Sequence, residues 1–131
     1  THAVDVIAGS FMMMPRVVFD ELGGWDEQYF FYGEDIDFCY RIRQADYAII
    51  YYPHVRVIHY KGASSGLRKE SAAIARPSKE TRMRVARESV RAMKLFYKKF
   101  YSDQYPAAVT WFVLTGIQLR GWVRIMKHRL T

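Results

Sequence analysis

Apolar and polar positions alternate in two different rhythms along this chain. In the first half the pattern is short and broken. Residues 4–8 (Val-Asp-Val-Ile-Ala) predict a short buried strand, and Gly9-Ser10 a break. Residues 11–14 are apolar, Pro15 opens a helical turn that runs to Leu22, and Gly23-Gly24 stops it. Residues 25–33 are aromatic-rich and irregular. From Glu34 to about Ala45 the spacing turns helical, with Ile36, Cys39, Tyr40 and Ile42 able to share one face. Residues 48–52 are β-rich, Pro53 interrupts, and residues 55–60 alternate with period two, predicting a second strand. A Gly/Ser loop, KGASSG, follows at 61–66.

The second half has the helical rhythm throughout. Ser78 is placed to cap a long helix along which Met83, Ala86, Val90, Met93, Tyr97 and Phe100 form an apolar stripe. Arg84, Arg87, Arg91, Lys94 and Lys98 form a basic stripe beside it. Residues 102–106 predict a turn, and 107–128 a last helix, apolar first and basic after Arg120. The chain carries no internal repeat.

Composition narrows the class. With 131 residues, 50% of them hydrophobic, the chain can build a real core, which excludes a disordered or low-complexity protein. A single cysteine, Cys39, excludes an internal disulfide framework and a multi-thiolate zinc site, and is itself expected as a small buried hydrophobe. The longest nearly apolar run, 107–119, falls short of the roughly 20 residues of a spanning helix. The chain opens on Thr1 rather than Met and is expected to be a piece of something longer.

Charge divides the chain. Residues 1–60 hold four Lys/Arg against nine Asp/Glu, a net of −5; residues 61–131 hold sixteen against four, a net of +12. This predicts a carboxylate-built site followed by a surface that meets an anion: nucleic acid, phospholipid or a phosphorylated ligand. Three acids, Glu34, Asp35 and Asp37, fall in the first turn of the 34–45 helix, where the free N–H groups favour negative charge. Each has a bland use: Asp35 as a helix-end acid, and Asp37 as the i,i+4 partner of Arg41. Trp25 serves equally as a core aromatic, Asp26 and Glu27 as turn caps, and His59 as a strand-end histidine.

Several ordered motifs weigh against the bland uses. They are GSFMMMPR at 9–16, LGGWDE at 22–27, FFYGEDIDFCYR at 30–41, then Tyr47, Pro53 and HYKGAS at 59–64. In this order and spacing the segment resembles family 2 glycosyltransferases of the GT-A fold, nearest to rhamnosyltransferase-like members that build cell-surface polysaccharide. The departures are Trp25 for Phe, Phe38 for Leu, and Asp46 for the Gly that precedes Tyr47.

The resemblance implies an α/β fold: residues 1–66 as the acceptor-side catalytic segment of a GT-A (nucleotide-diphospho-sugar transferase) domain, and 67–131 as a basic helical extension of two amphipathic helices. It implies inverting transfer of a sugar, with dTDP-L-rhamnose the first choice of donor, to a glycan or polyprenyl-diphosphate-linked acceptor. Asp35 maps onto the general base. Gly9, Ser10, Trp25, Asp26, Glu27 and Glu34 map onto the acceptor side, and His59, Lys61 and Ser64 onto a metal or diphosphate position. A divalent metal, Mg²⁺ or Mn²⁺, is expected in the full-length enzyme. So is a place on the cytoplasmic, inner face of the plasma membrane, held peripherally by the basic helices on anionic lipid. The nucleotide-binding half is not among these residues, so this stretch alone is expected to be inactive. Edges and apolar surface left uncovered favour a homo-oligomer. Two other readings stand beside this one: a basic helical nucleic-acid-binding module, and a non-catalytic membrane-surface assembly domain.

Overall fold

The computed structural model describes residues 1–59 and 78–130, with side chains through Lys127. It is helix-rich, with one small antiparallel sheet, and divides into two compact units, Thr1–His59 and Tyr60–Thr131.

The first unit is built around one amphipathic helix. Strand β1 (His2–Val4) pairs antiparallel with β2 (Ile49–Tyr51), Val4 opposite Ile49. Between them lie α1 (Arg16–Glu21) and α2 (Glu34–Gln44). Helix α1 begins after Pro15, whose ring suits the position before a first turn. It ends where Gly23 and Gly24 take φ of +72° and +67°. A side chain at Gly24 would sit 2.8 Å from the Phe19 ring, so the turn needs glycine there for space as well as for backbone.

Helix α2 opens at Gly33 (φ +99°) and carries Glu34, Asp35 and Asp37 in its first turn and Arg41 and Arg43 in its last, matching charge to the helix dipole at both ends. It closes on Asp46 at φ +60°, with the Tyr47 N–H returning to the Ile42 carbonyl at 3.1 Å. That left-handed cap is the reason a glycine suits this position, and Asp46 is a residue that tolerates it. The inner face of α2, with Phe38, Cys39 and Ile42 buried, packs with Ile49. Val4, Ile7, Met12, Met14, Phe19 and Leu22 close around it.

Two strand expectations are corrected. The first strand lies at His2–Val4 rather than 4–8, and the second β-rich run pairs over Ile49–Tyr51. Residues 55–59 form no strand: their apolar side chains are exposed (Ile58 85%), and no ladder partner meets them among the described residues.

The second unit is a helical hairpin of α3 (Lys79–Phe100) and α4 (Ala107–Leu130). Ser78 caps α3 as expected, its hydroxyl accepting the Thr81 N–H at 3.1 Å. The seam runs antiparallel: Tyr97 meets Thr110, Lys94 bonds Gln118, and Val90 meets Gly121. A methyl on Gly121 would lie 2.3 Å from Val90 Cγ2, so glycine lets the two backbones approach. The expected stripe is partly right. Ala86 and Val90 are buried, but Val85 and Ala92 join them and Met93 reaches the surface. Of the basic stripe, Arg84, Arg87, Arg91 and Lys98 are exposed, while Lys94 is drawn into the seam.

Candidate functional site

The three acids at the start of α2 have separate surroundings. Asp37 is fully buried and accepts from Arg41 Nε at 2.6 Å and from the Tyr29 hydroxyl at 3.1 Å. Arg41 extends the same contact, donating to the carbonyls of Leu22 at 2.5 Å and Gly24 at 2.7 Å and lying over the Phe38 ring. The i,i+4 pair expected from spacing is therefore also a clamp. It ties the Leu22–Gly24 turn, and with it Trp25, to α2.

Among the described residues Asp35 makes no ion pair. Its Oδ2 accepts the Gly9 N–H at 3.1 Å and its Oδ1 the Ile36 N–H at 2.9 Å, and the residue is half-buried. A carboxylate has about four lone-pair positions, so these two bonds fix its orientation and leave each oxygen able to take a proton. Gly9 permits the approach: a side chain there would meet Asp35 Cβ at 3.3 Å and Trp25 Cη2 at 3.9 Å. Trp25 leans on Phe38 at 4.8 Å between ring centroids yet keeps 38% of its surface open. It is both a packing residue and a face that a ligand can reach.

Glu34 is the third case. Its Oε2 is buried and no donor among the described residues reaches it. A buried carboxylate oxygen without a partner is costly, and it lies next in sequence to Asp35. The backbone leading into this pair is strained, with Tyr32 at φ +67° just before Gly33. Phe30 and Tyr32, both exposed, precede the acids in sequence, within the 30–41 motif but outside the residues expected at the site. The composition of residues 30–32 was the available signal.

The remaining expected residues are more dispersed. Asp26 shapes a turn, its Oδ1 accepting the Gln28 N–H at 3.0 Å and its carbonyl the Tyr29 N–H at 3.1 Å. Ser10 and Glu27 are exposed. His59 is exposed, and no hydrogen bond or ion pair among the described residues joins it to Asp35. Lys61 and Ser64 lie outside the described residues. No three His, Cys, Asp or Glu side chains gather to hold a metal ion among the described residues.

Among the described residues three groups have shifted titrations of structural origin: a hydrogen bond to Glu21 pushes the Tyr47 hydroxyl up, and burial acts first on the other two. Burial pushes the Cys39 thiol up, and its Sγ faces the Ile7 carbonyl. Burial, then the charge of Asp37, holds the Tyr29 hydroxyl well above the ordinary tyrosine range. The sign follows from linkage: the folded chain binds this proton more tightly than the unfolded one. The contribution is complete below the ordinary value of about 10 and is lost as pH rises beyond it. Thermal melts above that pH should show a steeper fall in stability for the wild type than for Tyr29→Phe. Parallel curves would remove Tyr29 from the account.

The comparisons with known proteins agree with the motifs. Over 119 residues the chain is 35% identical to the N-acetylglucosaminyl-diphospho-decaprenol L-rhamnosyltransferase of Mycobacterium tuberculosis, covering 91% of this chain and 34% of that protein. It is 44% identical over 57 residues to the rhamnosyltransferase WbbL of Escherichia coli K12, covering 44% of this chain and 22% of that protein. It is 41% identical over 56 residues to the low-salt glycan biosynthesis hexosyltransferase Agl10 of Haloferax volcanii, covering 43% and 18%. The chain thus spans about a third or less of the length of these relatives. No solved structure matches it. Residues 1–91 match the family described as glycosyltransferase like family 2, and with most of its length so matched the chain belongs to the family 2 glycosyltransferases, on the rhamnosyltransferase-like side.

Proposed function

We propose that this chain supplies the acceptor side of an inverting GT-A glycosyltransferase, with Asp35 as the general base. The acceptor sugar rests on the open face of Trp25. Its hydroxyl gives its proton to an Asp35 oxygen, the hydroxyl oxygen bonds to the anomeric carbon, and the nucleoside diphosphate leaves with the electron pair of the broken C–O bond. One observation supports this above the rest: among the described residues, Asp37 is consumed by an arginine while Asp35 is oriented by backbone N–H groups alone. Gly9 permits the close approach of backbone and carboxylate. Glu34, with a buried oxygen that no described donor reaches, is assigned to the acceptor, and so are Ser10, Asp26 and Glu27. His59, Lys61 and Ser64 are assigned to the diphosphate.

The relatives' names support a rhamnosyl donor, and the mycobacterial one also a polyprenyl-diphosphate-linked acceptor sugar. A working place at the inner face of the plasma membrane is part of this proposal, because a polyprenol chain sits in lipid. Family 2 enzymes generally use a divalent metal. Among the described residues no three His, Cys, Asp or Glu side chains gather to hold it. The basic helices are read as part of this enzyme rather than as a nucleic-acid module, a reading that leaves the ordered acidic motifs unexplained.

The test is sugar transfer by the full-length protein carrying Asp35→Asn; turnover equal to wild type overturns the assignment. A second expectation concerns the 131-residue chain by itself. It should release no nucleoside diphosphate from a sugar nucleotide, because the nucleotide-binding half of such an enzyme, with its Asp-x-Asp metal motif, is not among these 131 residues. Measurable turnover by this chain would overturn that division of labour.

A further inference from the structure

Helix α4 is apolar on two opposite sides, and the hairpin uses only one. Thr110 and Gly121 meet α3, and Val113, Leu114 and Ile117 are half-buried. On the other side Trp111, Phe112, Leu119, Trp122 and Val123 are 59–69% exposed. At roughly 100° per residue, Phe112, Gly116, Leu119 and Val123 fall within about 60° of one another. Trp111 and Trp122 lie along one margin of this strip, and Arg120 and Lys127 along the other, with Arg124 beyond them.

We infer that this outer face of α4 lies in the surface of an anionic lipid bilayer. Charge selects that occupant. The 24 residues of α4 contain no Asp or Glu, and every Lys or Arg in it falls after Leu119. A second copy of the helix offers these cations no counter-charge. A lipid surface matches all three parts of the face: hydrocarbon takes Phe112, Leu119 and Val123, the headgroup level suits the two tryptophans, and lipid phosphates meet Arg120, Arg124 and Lys127. No described helix is long and apolar enough to cross a membrane, so α4 lies along the surface. The docking face is therefore on α4, one of the two basic helices expected from the sequence to meet lipid.

This deepens the location proposed above and rests on it, but its test is read by binding without turnover, so its failure leaves the Asp35 assignment untouched. The full-length protein is sedimented with phosphatidylcholine–phosphatidylglycerol vesicles and with phosphatidylcholine alone. Binding should favour the anionic vesicles. Phe112→Ser and Leu119→Ser should each weaken it about tenfold, and Arg124→Gln about fivefold. These side chains are exposed, so thermal melts should be unchanged. Independently of any substitution, brominated lipid should quench wild-type tryptophan emission. Absence of sedimentation, absence of quenching, or full binding by both serine variants overturns the inference. So does a Phe112→Ser variant that instead splits an oligomer on size exclusion, since a second copy would then be covering the face.

Discussion

Full-length enzyme carrying Asp35→Asn should lose turnover by about 10²–10⁴-fold, the range for removing a positioned general base. Asparagine is a close match in size, and its carbonyl oxygen can still accept one of the two backbone N–H groups, from Gly9 or from Ile36, that hold Asp35. The amide presents N–H to the other, so about one hydrogen bond is lost, on the order of 1 kcal/mol. Stability should therefore fall little while the chemical step fails. Asp35 is assigned to the acceptor hydroxyl and not to the donor diphosphate, so the loss should appear in kcat more than in the donor KM. Nucleoside diphosphate release, followed with donor and acceptor varied in turn, measures both. A variant with wild-type kcat would leave Asp35 as a helix-end acid that happens to bridge to Gly9.

Much of this arrangement was legible in the residues, and the illegible parts share a cause. Local signals were read correctly where the cause is local: Gly23-Gly24 stopping α1, Ser78 capping α3, and Asp37 facing Arg41 one helical turn on. Asp46 stood out as a departure from the motif, and its left-handed backbone supplies the reason. Strands were read worse. Val55, Val57 and the residues between them alternate as a strand should, yet period two records only which side chains could share a face; the partner ladder that makes a strand is not encoded in that segment. Residues 4–8 went wrong in the same way, since the pairing of Val4 with Ile49 fixes the strand at His2–Val4. The acids show the limit most plainly. Spacing placed Glu34, Asp35 and Asp37 in one turn, but their division of roles rests on contacts from Gly9, Tyr29 and Leu22. Those residues come from three separate earlier turns of the chain.

That division makes the neighbouring acid the stronger structural determinant. Asp37→Ala should destabilise the protein by about 3–5 kcal/mol, the cost of breaking a buried ion pair from one side. Domains are stable by only about 5–15 kcal/mol, so this approaches loss of the fold. The figure follows from what is left behind. The Arg41 side chain is 16% exposed, and without Asp37 its charge keeps only the carbonyls of Leu22 and Gly24; the buried Tyr29 hydroxyl loses its acceptor. A surface pair of the same spacing provides the contrast. Arg16 and Asp20 meet at 2.8 Å with both side chains more than half exposed, and Arg16→Ala should cost less than about 1 kcal/mol. Urea or thermal unfolding of the two variants measures the difference directly. Asp37→Asn should fall between them, because the amide can still accept from Tyr29 or Arg41 without supplying the charge. Turnover should fall with stability in the Asp37 series, since the clamp from Arg41 to Leu22 and Gly24 positions Trp25, whereas in Asp35→Asn the two should separate. Equal stability of Asp37→Ala and Arg16→Ala would show that Arg41 finds water or another acceptor as readily as it holds Asp37, and the clamp would no longer explain why Trp25 stands beside Asp35.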